Sequence, residues 1–225
     1  MNKKIIALIV GILIIAIVVG SVIIFGNNKQ ESENNNTNNQ NSSVNNNSSN
    51  ENNSNENNGD EDMNNTGNGG KVLVLYFSMS GNTETVAKFI HNKVGGDILE
   101  LETVQTYPSD YNTLVNYAQE EQRKNARPEL KTTVNIDDYD TIFLGYPNWW
   151  ADMPMPLYTF LDTYDLSGKT IAPFITHGGS GLSGTPAKIK SEEPNATVTE
   201  GLAVRDSSVN SSDSTIEAWL EKLGY

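Results

Sequence analysis

The 225-residue sequence contains no cysteine. This absence excludes a disulfide framework, a thiolate nucleophile, cysteine-held zinc or iron–sulfur clusters, and a lipid on an N-terminal cysteine. Only two histidines are present, and since His91 and His177 stand alone, they lack the spacing of metal ligands. Basic residues are also scarce, because 15 Lys and Arg stand against 28 Asp and Glu, for a net charge of −13. We therefore expect no metal site and no binding to nucleic acid, whose phosphates would repel the chain.

The first 26 residues are almost wholly apolar, and residues 5–25 carry no charge. A helix of that length spans about 30 Å, the thickness of a bilayer's hydrocarbon core. Lys3 and Lys4 precede the run, so the positive-inside tendency predicts a cytoplasmic N-terminus with the rest of the chain outside. A cleaved signal peptide is the alternative, but its apolar stretch is usually only about 7–15 residues long. We predict that residues 1–26 are an uncleaved, single-pass anchor in the cell membrane.

Residues 27–70 are almost wholly polar, and 20 of these 44 positions are asparagine. Such a segment buries too little apolar surface to offset the entropy of ordering its chain. We therefore predict a disordered linker. As a flexible tether it would have an r.m.s. reach of about 35–40 Å.

Residues 71–225 have the length of one domain with a sizeable core. Strand-like apolar runs alternate there with segments of helical periodicity, which predicts a parallel sheet with helices on both faces. The weakest helical segment, before the last strand, is marked mainly by Thr185 and Pro186 as cap and first turn. The last helical segment contains Ser214 and Glu217, spaced as a capping box. In such folds ligands bind outside the carboxyl ends of the strands. The predicted strands are 72–77, 97–101, 141–145, 170–176 and 197–204.

The loop after the first predicted strand reads Ser78-Met79-Ser80-Gly81-Asn82-Thr83 and leads directly into a helix. Hydroxyl groups, backbone N–H groups and the positive end of the helix dipole favour a phosphate group there. The loop lacks the lysine of a Walker A motif, so a monophosphate ester fits better than a triphosphate. An ordinary strand-to-helix turn, capped by Ser80 or Asn82, is the alternative.

Two adjacent tryptophans, Trp149 and Trp150, follow the third predicted strand within a proline-rich loop. Flat aromatic side chains suit stacking against a planar ligand, whereas the alternative is that the indoles fill the base of the following helix. We expect one indole to pack in this way and the other to face the ligand.

The loop after the fourth predicted strand, Thr176-His177-Gly178-Gly179-Ser180-Gly181, is rich in glycine, which lets backbone amides approach a ring closely. His177 could hydrogen-bond a ring carbonyl, steer a proton, or be an ordinary loop histidine. Gly179, Gly181 and Gly184 also match the dinucleotide pattern G-x-G-x-x-G, with Glu200 as the ribose-binding acid. The match follows strand four instead of strand one, and the helix after it has little apolar face, which disfavours a dinucleotide site.

Together these three loops resemble the flavodoxin family, in the branch with a Tyr-Pro-x-Trp-Trp loop. The resemblance covers essentially all of 71–225 and implies an α/β fold, a doubly wound five-stranded parallel sheet of order 2-1-3-4-5 that binds FMN noncovalently. The sequence departs from the family pattern at two positions. His177 stands where a serine is usual, and Ala151 stands where a glycine is often found. The resemblance implies that the phosphate is held by Ser78, Ser80, Asn82 and Thr83, that the isoalloxazine is walled by Pro147, Asn148, Trp149 and Trp150, and that its pyrimidine edge is lined by Gly178, Gly179, Ser180 and Gly181. The other cofactor-binding residues predicted in these loops are Met79, Gly81, Thr176 and His177.

The functional hypothesis is a membrane-anchored FMN protein acting in electron transfer, either as a carrier or as a small NAD(P)H- or quinone-type oxidoreductase. No catalytic residue is predicted, and the partner would be a redox protein, a quinone or NAD(P)H. A reductase would need a second pocket, for which the segment from Tyr107 to Ile142 is the place, helped by Tyr107 or Arg127. The alternative is a surface-displayed binding module of the same fold that recognises another phosphorylated or planar ligand without redox chemistry.

Overall fold

The computed structural model describes residues 70–225. Strands and helices alternate along this part of the chain, and two short 3₁₀ turns interrupt the pattern at Ile136–Asp138 and Asp206–Ser211. The strands are β1 (Val72–Tyr76), β2 (Asp97–Glu100), β3 (Thr141–Pro147), β4 (Thr170–His177), β5 (Thr197–Val198) and β6 (Leu202–Arg205). The helices are α1 (Asn82–Val94), α2 (Tyr111–Arg123), α3 (Met155–Thr163), α4 (Thr185–Glu192) and α5 (Asp213–Leu223).

The strands form one parallel sheet in the order β2-β1-β3-β4-β5, with β6 also paired to β4. The predicted order and the helix-flanked parallel sheet are confirmed. Pro147 lies opposite Thr176 in the register of β3 and β4. The carboxyl ends of β1, β3 and β4 therefore lie side by side, and the three loops noted in the sequence meet at one edge.

The predicted fifth strand, 197–204, is two short strands, and both pair with β4. Gly201 lies in the interruption, where a Cβ atom would come within 2.9 Å of Pro186 Cγ. The neighbouring Glu200 carbonyl accepts a hydrogen bond of 2.9 Å from the indole of Trp219. Packing against α4 and α5 thus breaks the strand at this point.

The core has one layer on each face of the sheet because the central strands are buried on both faces. Val72 and Val74 of β1 belong to the layer under α1 and α5. Leu73 and Leu75 alternate with them and belong to the layer under α3 and α4. The continuous apolar run in the sequence is the consequence of this double burial.

Two predicted helix starts differ from the structure. Gly184, at a left-handed φ of +72°, is the N-cap of α4, so Thr185 is the first helical residue and not the cap. Helix α5 begins at Asp213 with Ser212 as its N-cap residue, so Ser214 already lies inside the helix and the predicted capping box is wrong. Glu217 instead pairs with Lys93 of α1 at 2.6 Å.

The predicted membrane anchor and the Asn-rich linker lie outside the described residues, except Gly70. Within residues 70–225, no helix combines the length and the apolar character needed to cross a bilayer.

Candidate functional site

Hydrogen bonds link the three loops at the carboxyl ends of β1, β3 and β4. The hydroxyls of Thr83 and Thr176 lie 2.7 Å apart and are buried, which joins the start of α1 to the end of β4. The Asn148 N–H donates to the Thr176 carbonyl at 2.7 Å and joins the ends of β3 and β4. These links hold the loops in fixed positions, so the predicted site residues lie on one connected edge.

The N-cap residue of α1 is a glycine, which offers no side chain to the N-terminus of this helix. Gly81 is the N-cap residue at a φ of +82°, and no heavy atom lies within 4 Å of the position that a Cβ would take. The Ser78 hydroxyl accepts a hydrogen bond of 3.3 Å from the Glu84 N–H, and Ser80 and Met79 are exposed. The first N–H groups of a helix have no partner within it, so this end provides donors and a positive potential for an anion.

Thr83 has a different role from the neighbouring serines. Its side chain is buried, and its hydroxyl hydrogen-bonds to Thr176. We therefore expect any contact between Thr83 and a phosphate to come from its backbone N–H. The side chain itself stabilises the junction of the first and third loops.

The double-tryptophan segment forms a tight hairpin turn. Trp149 and Asp152 exchange two backbone hydrogen bonds of 2.9 Å, and the two residues between them have positive φ values, +53° at Trp150 and +58° at Ala151. Turns of this mirror-image kind favour glycine and asparagine, because positive φ is strained for other residues. Glycine would adopt the positive φ at position 151 without strain, so Ala151 places backbone strain next to the predicted flavin wall.

The two indoles have different environments, as expected. Trp149 is half-buried and contacts the rings of Phe77 and Tyr107 edge to face, at centroid distances of 5.5 and 5.7 Å. It thus packs against the end of β1 and the loop after β2, and it belongs to the margin of the core layer that also contains Leu157 of α3. Trp150 is 47% exposed, and its indole donates a hydrogen bond of 3.0 Å to the Val115 carbonyl of α2.

A slot of about 260 Å³ separates these indoles from the first turns of α2. None of the described residues that line it is charged, so a flat apolar group can enter between aromatic and aliphatic walls. The sequence showed α2 as a helix with an apolar face but gave no signal that this face borders the site. The slot is lined by Tyr111, Leu114, Val115, Ala118, Asn148, Trp149 and Trp150.

Two buried polar atoms at this edge have no hydrogen-bond partner, Asn148 Oδ1 and His177 Nδ1. The Asn148 amide nitrogen donates to the Gly181 carbonyl and to the Ser183 hydroxyl, both at 2.8 Å, which ties the second loop to the third. Buried polar atoms are normally paired, and leaving one unpaired costs free energy. Two such atoms on neighbouring loops are what a site for a polar ligand edge requires.

Asp152 is a site residue that sequence reasoning missed. Its Oδ1 accepts hydrogen bonds from the Met153 N–H at 2.8 Å and from the Tyr158 hydroxyl at 2.9 Å, and its Oδ2 pairs with Lys188 at 2.6 Å. Burial and this carboxylate raise the pKa of Tyr158. Asp152 therefore fixes the tryptophan turn to α3 and α4, and its place two residues after Trp150 was the available signal.

A separate cleft of about 510 Å³ lies between the second half of α2 and the segment after it, in the region predicted for a second pocket. At its base the Tyr107 hydroxyl donates to Glu121 at 2.6 Å, and burial raises the pKa of Glu121. Its basic residues are engaged, because Arg127 Nε pairs with Asp162 at 2.5 Å and Lys124 pairs with Glu120 at 3.3 Å. The cleft is lined by Val104, Gln105, Tyr107, Tyr117, Glu120, Glu121, Lys124, Ala126, Arg127, Pro128 and Glu129.

Comparison with known proteins gives one family match and several similar structures. Residues 71–223 match a family model described as Flavodoxin. A putative flavoprotein from Bacteroides eggerthii is 33% identical, with 69% of this chain and 99% of that chain covered and a TM-score of 0.62. A putative flavoprotein from Bacteroides uniformis is 30% identical, with coverages of 68% and 99% and a TM-score of 0.61. A flavoprotein from Lactobacillus acidophilus, solved in complex with FMN, is 25% identical, with coverages of 67% and 99% and a TM-score of 0.55.

Proposed function

Because this chain belongs to the flavodoxin family, we propose that it binds FMN across the carboxyl ends of β1, β3 and β4 and acts in electron transfer. The observation that carries the proposal is the combination, at one edge, of a helix N-terminus that begins at a glycine N-cap with two buried polar atoms that lack partners. The similar Lactobacillus acidophilus flavoprotein, whose structure contains FMN, supports the choice of cofactor.

The residues of the first loop would hold the phosphate group. The N–H groups of Asn82 and Thr83 begin α1 and have no partner within the helix, and Ser78 and Ser80 add hydroxyl groups. Glu84 lies in the same first turn, but its carboxylate pairs with Lys88 at 2.5 Å, which offsets its charge. A dianionic monophosphate therefore finds donors here without an opposing free carboxylate in the turn.

The second and third loops would orient the ring. FMN when bound supplies the one- and two-electron chemistry, and the protein tunes it by contacts and charge. Asn148 and His177 offer polar contacts, and Trp149 and Trp150 exclude water from one side. Residues 71–225 contain 21 acidic and 12 basic residues, so the domain disfavours additional negative charge at the ring and lowers its reduction potential, an effect weakened by salt.

The 510 Å³ cleft favours an electron carrier or a quinone-type partner over NAD(P)H. The phosphates of a nicotinamide dinucleotide favour helix N-termini or free basic side chains, whereas Lys124 and Arg127 in this cleft are engaged in ion pairs. Glu121 and Glu129 in the same cleft would repel the dinucleotide. The uncharged slot beside Trp150 admits a neutral planar group more readily than a charged one.

The location of this activity is the second part of the proposal. The apolar run at residues 5–25, with Lys3 and Lys4 before it, supports a single-pass anchor with the flavin domain on the outer side of the cell membrane. The Asn-rich segment would then act as the tether. Partners in this arrangement are membrane-bound or external redox proteins, or quinones.

Titration of the purified full-length chain with FMN and with riboflavin tests the cofactor assignment. Charge-assisted hydrogen bonds contribute about 1.5–3 kcal/mol each, so the phosphate should make FMN binding tighter than riboflavin binding by several kcal/mol. Flavin fluorescence quenching gives both dissociation constants. Equal dissociation constants for the two flavins would refute the assignment of residues 78–83 as a phosphate-binding loop. Failure to bind either flavin would favour the alternative of a binding module without redox chemistry.

A further inference from the structure

We propose that the side chains of Asn148 and His177 recognise the imide edge of the flavin pyrimidine ring, with Asn148 Oδ1 accepting from the ring N3–H and His177 Nδ1 donating to an adjacent ring carbonyl. This inference rests on the proposed function, since it requires FMN at the site. It adds a specificity role for two residues, one of which stands where a serine is usual.

The orientation of the Asn148 amide is determined by its neighbours. Its Nδ2 lies 2.8 Å from both the Gly181 carbonyl and the Ser183 hydroxyl. The carbonyl can only accept, and the Ser183 hydroxyl donates its own proton to the Ser180 carbonyl at 3.1 Å. The amide therefore presents its two donors to the third loop, and its oxygen is the free atom. Asn148 Oδ1 is a buried acceptor that needs a donor.

His177 presents the complementary atom from the neighbouring strand. Pro147 and Thr176 form the last register pair of β3 and β4, so Asn148 and His177 are the next residues on each strand. The hydrogen bond from the Asn148 N–H to the Thr176 carbonyl extends the pairing by one step. His177 Nδ1 is also buried without a partner, and a histidine ring nitrogen becomes a donor when it carries the proton.

An imide is the ligand edge that fits one acceptor beside one donor. Its polar groups are, in order, a carbonyl, an N–H and a carbonyl. It can therefore donate a hydrogen bond to Asn148 Oδ1 and accept one from His177 Nδ1. Neighbouring strands lie about 4.8 Å apart, a separation that lets two side chains converge on one ring edge. Contact with ribityl hydroxyl groups is the competing assignment, because a hydroxyl can both donate and accept.

A ligand comparison tests the role of Asn148. The full-length wild-type chain is titrated with FMN and with 3-methyl-FMN, in which a methyl group replaces the N3 hydrogen, by flavin fluorescence quenching. We expect the wild type to bind FMN at least about tenfold more tightly than the methylated analogue, since the buried acceptor loses its partner. Asn148→Ala should weaken FMN binding and bring the ratio of the two dissociation constants near one.

The matched control is Asn92→Ala, at an exposed position of α1, which should keep the wild-type ratio. A wild-type ratio near one overturns the proposal while leaving FMN binding intact. A ratio in Asn148→Ala equal to that of the wild type also overturns it and assigns Asn148 to the ribityl chain. If neither flavin binds to the wild type, the proposed function itself fails.

The carbonyl bands of bound FMN in the infrared spectrum test the role of His177. Donation from Nδ1 lowers a flavin C=O stretching frequency, so His177→Ala should raise it and weaken FMN binding by about tenfold. His177→Asn places an N–H donor near the position of Nδ1 and should restore both. His91→Ala is the control, since His91 Nε2 lies 3.1 Å from the Gly96 carbonyl at the other end of α1. If the carbonyl bands of FMN bound to His177→Ala were identical to those in the wild type, the proposed donation from His177 Nδ1 would be overturned.

Discussion

Replacing Trp149 and Trp150 separately by alanine should have unequal effects on stability. Trp149 is half-buried and makes two edge-to-face ring contacts, each contributing about 0.5–1.5 kcal/mol beyond area burial. Truncating a fully buried tryptophan to alanine lowers the free energy of unfolding by about 3–5 kcal/mol. Because Trp149 is only half-buried, we expect Trp149→Ala to lower it by about 2–3 kcal/mol. Trp150 is 47% exposed with one hydrogen bond, so Trp150→Ala should cost about 1 kcal/mol.

Urea unfolding followed by far-ultraviolet circular dichroism measures these differences without using the mutated indoles as the probe. Trp149→Phe is the matched control, because it keeps a ring between Phe77 and Tyr107 and should recover much of the loss. FMN titration of the same variants measures the functional contribution of each indole. Equal destabilisation by the two alanine substitutions would refute the packing argument, and wild-type FMN affinity in both would refute the flavin-wall assignment.

Ala151→Gly should stabilise the domain by about 1 kcal/mol, because it relieves a positive φ of +58°, and a urea midpoint at or below the wild-type value would contradict this. The Tyr139 hydroxyl and Lys71 lower the pKa of Asp97, so Asp97 stabilises the fold above its ordinary pKa and loses this effect as the pH falls through the lowered value. The deficit in melting temperature of Asp97→Asn should therefore be present at neutral pH and vanish on acidification; a deficit constant with pH would argue against the linkage. Protease added to intact, wall-stripped cells should cleave within 27–70 and release a domain of about 155 residues, whereas protection until the membrane is broken would mean the reverse orientation.

The sequence alone was sufficient for the strand order of the sheet, and it predicted the three loops that the structure brings together at one edge. Continuous apolar runs such as β1 arise because a central parallel strand is buried on both faces, and their alternation with helical periodicity leaves few possible topologies. The three chemically unusual loops follow β1, β3 and β4, which the strand order places side by side. Local composition therefore carried the information for both the fold class and the candidate site.

Interruptions and helix starts were not predictable, because they depend on contacts between distant residues. The break at Gly201 comes from the close approach of Pro186, and the start of α5 at Asp213 follows from the preceding 3₁₀ turn. A capping-box spacing describes only a local preference, which the tertiary context overrode at Ser214.

Within the site, the sequence identified the residue types and the structure decided their individual roles. Trp149 and Trp150 are identical in type, yet one packs on Phe77 and the other is exposed, because the positive-φ turn directs the two side chains differently. Asn148 and His177 are separated by 28 residues in the chain, and only the pairing of β3 with β4 makes them neighbours. Their unpartnered atoms are a property of burial and of surrounding hydrogen bonds, which no local pattern of residues contains.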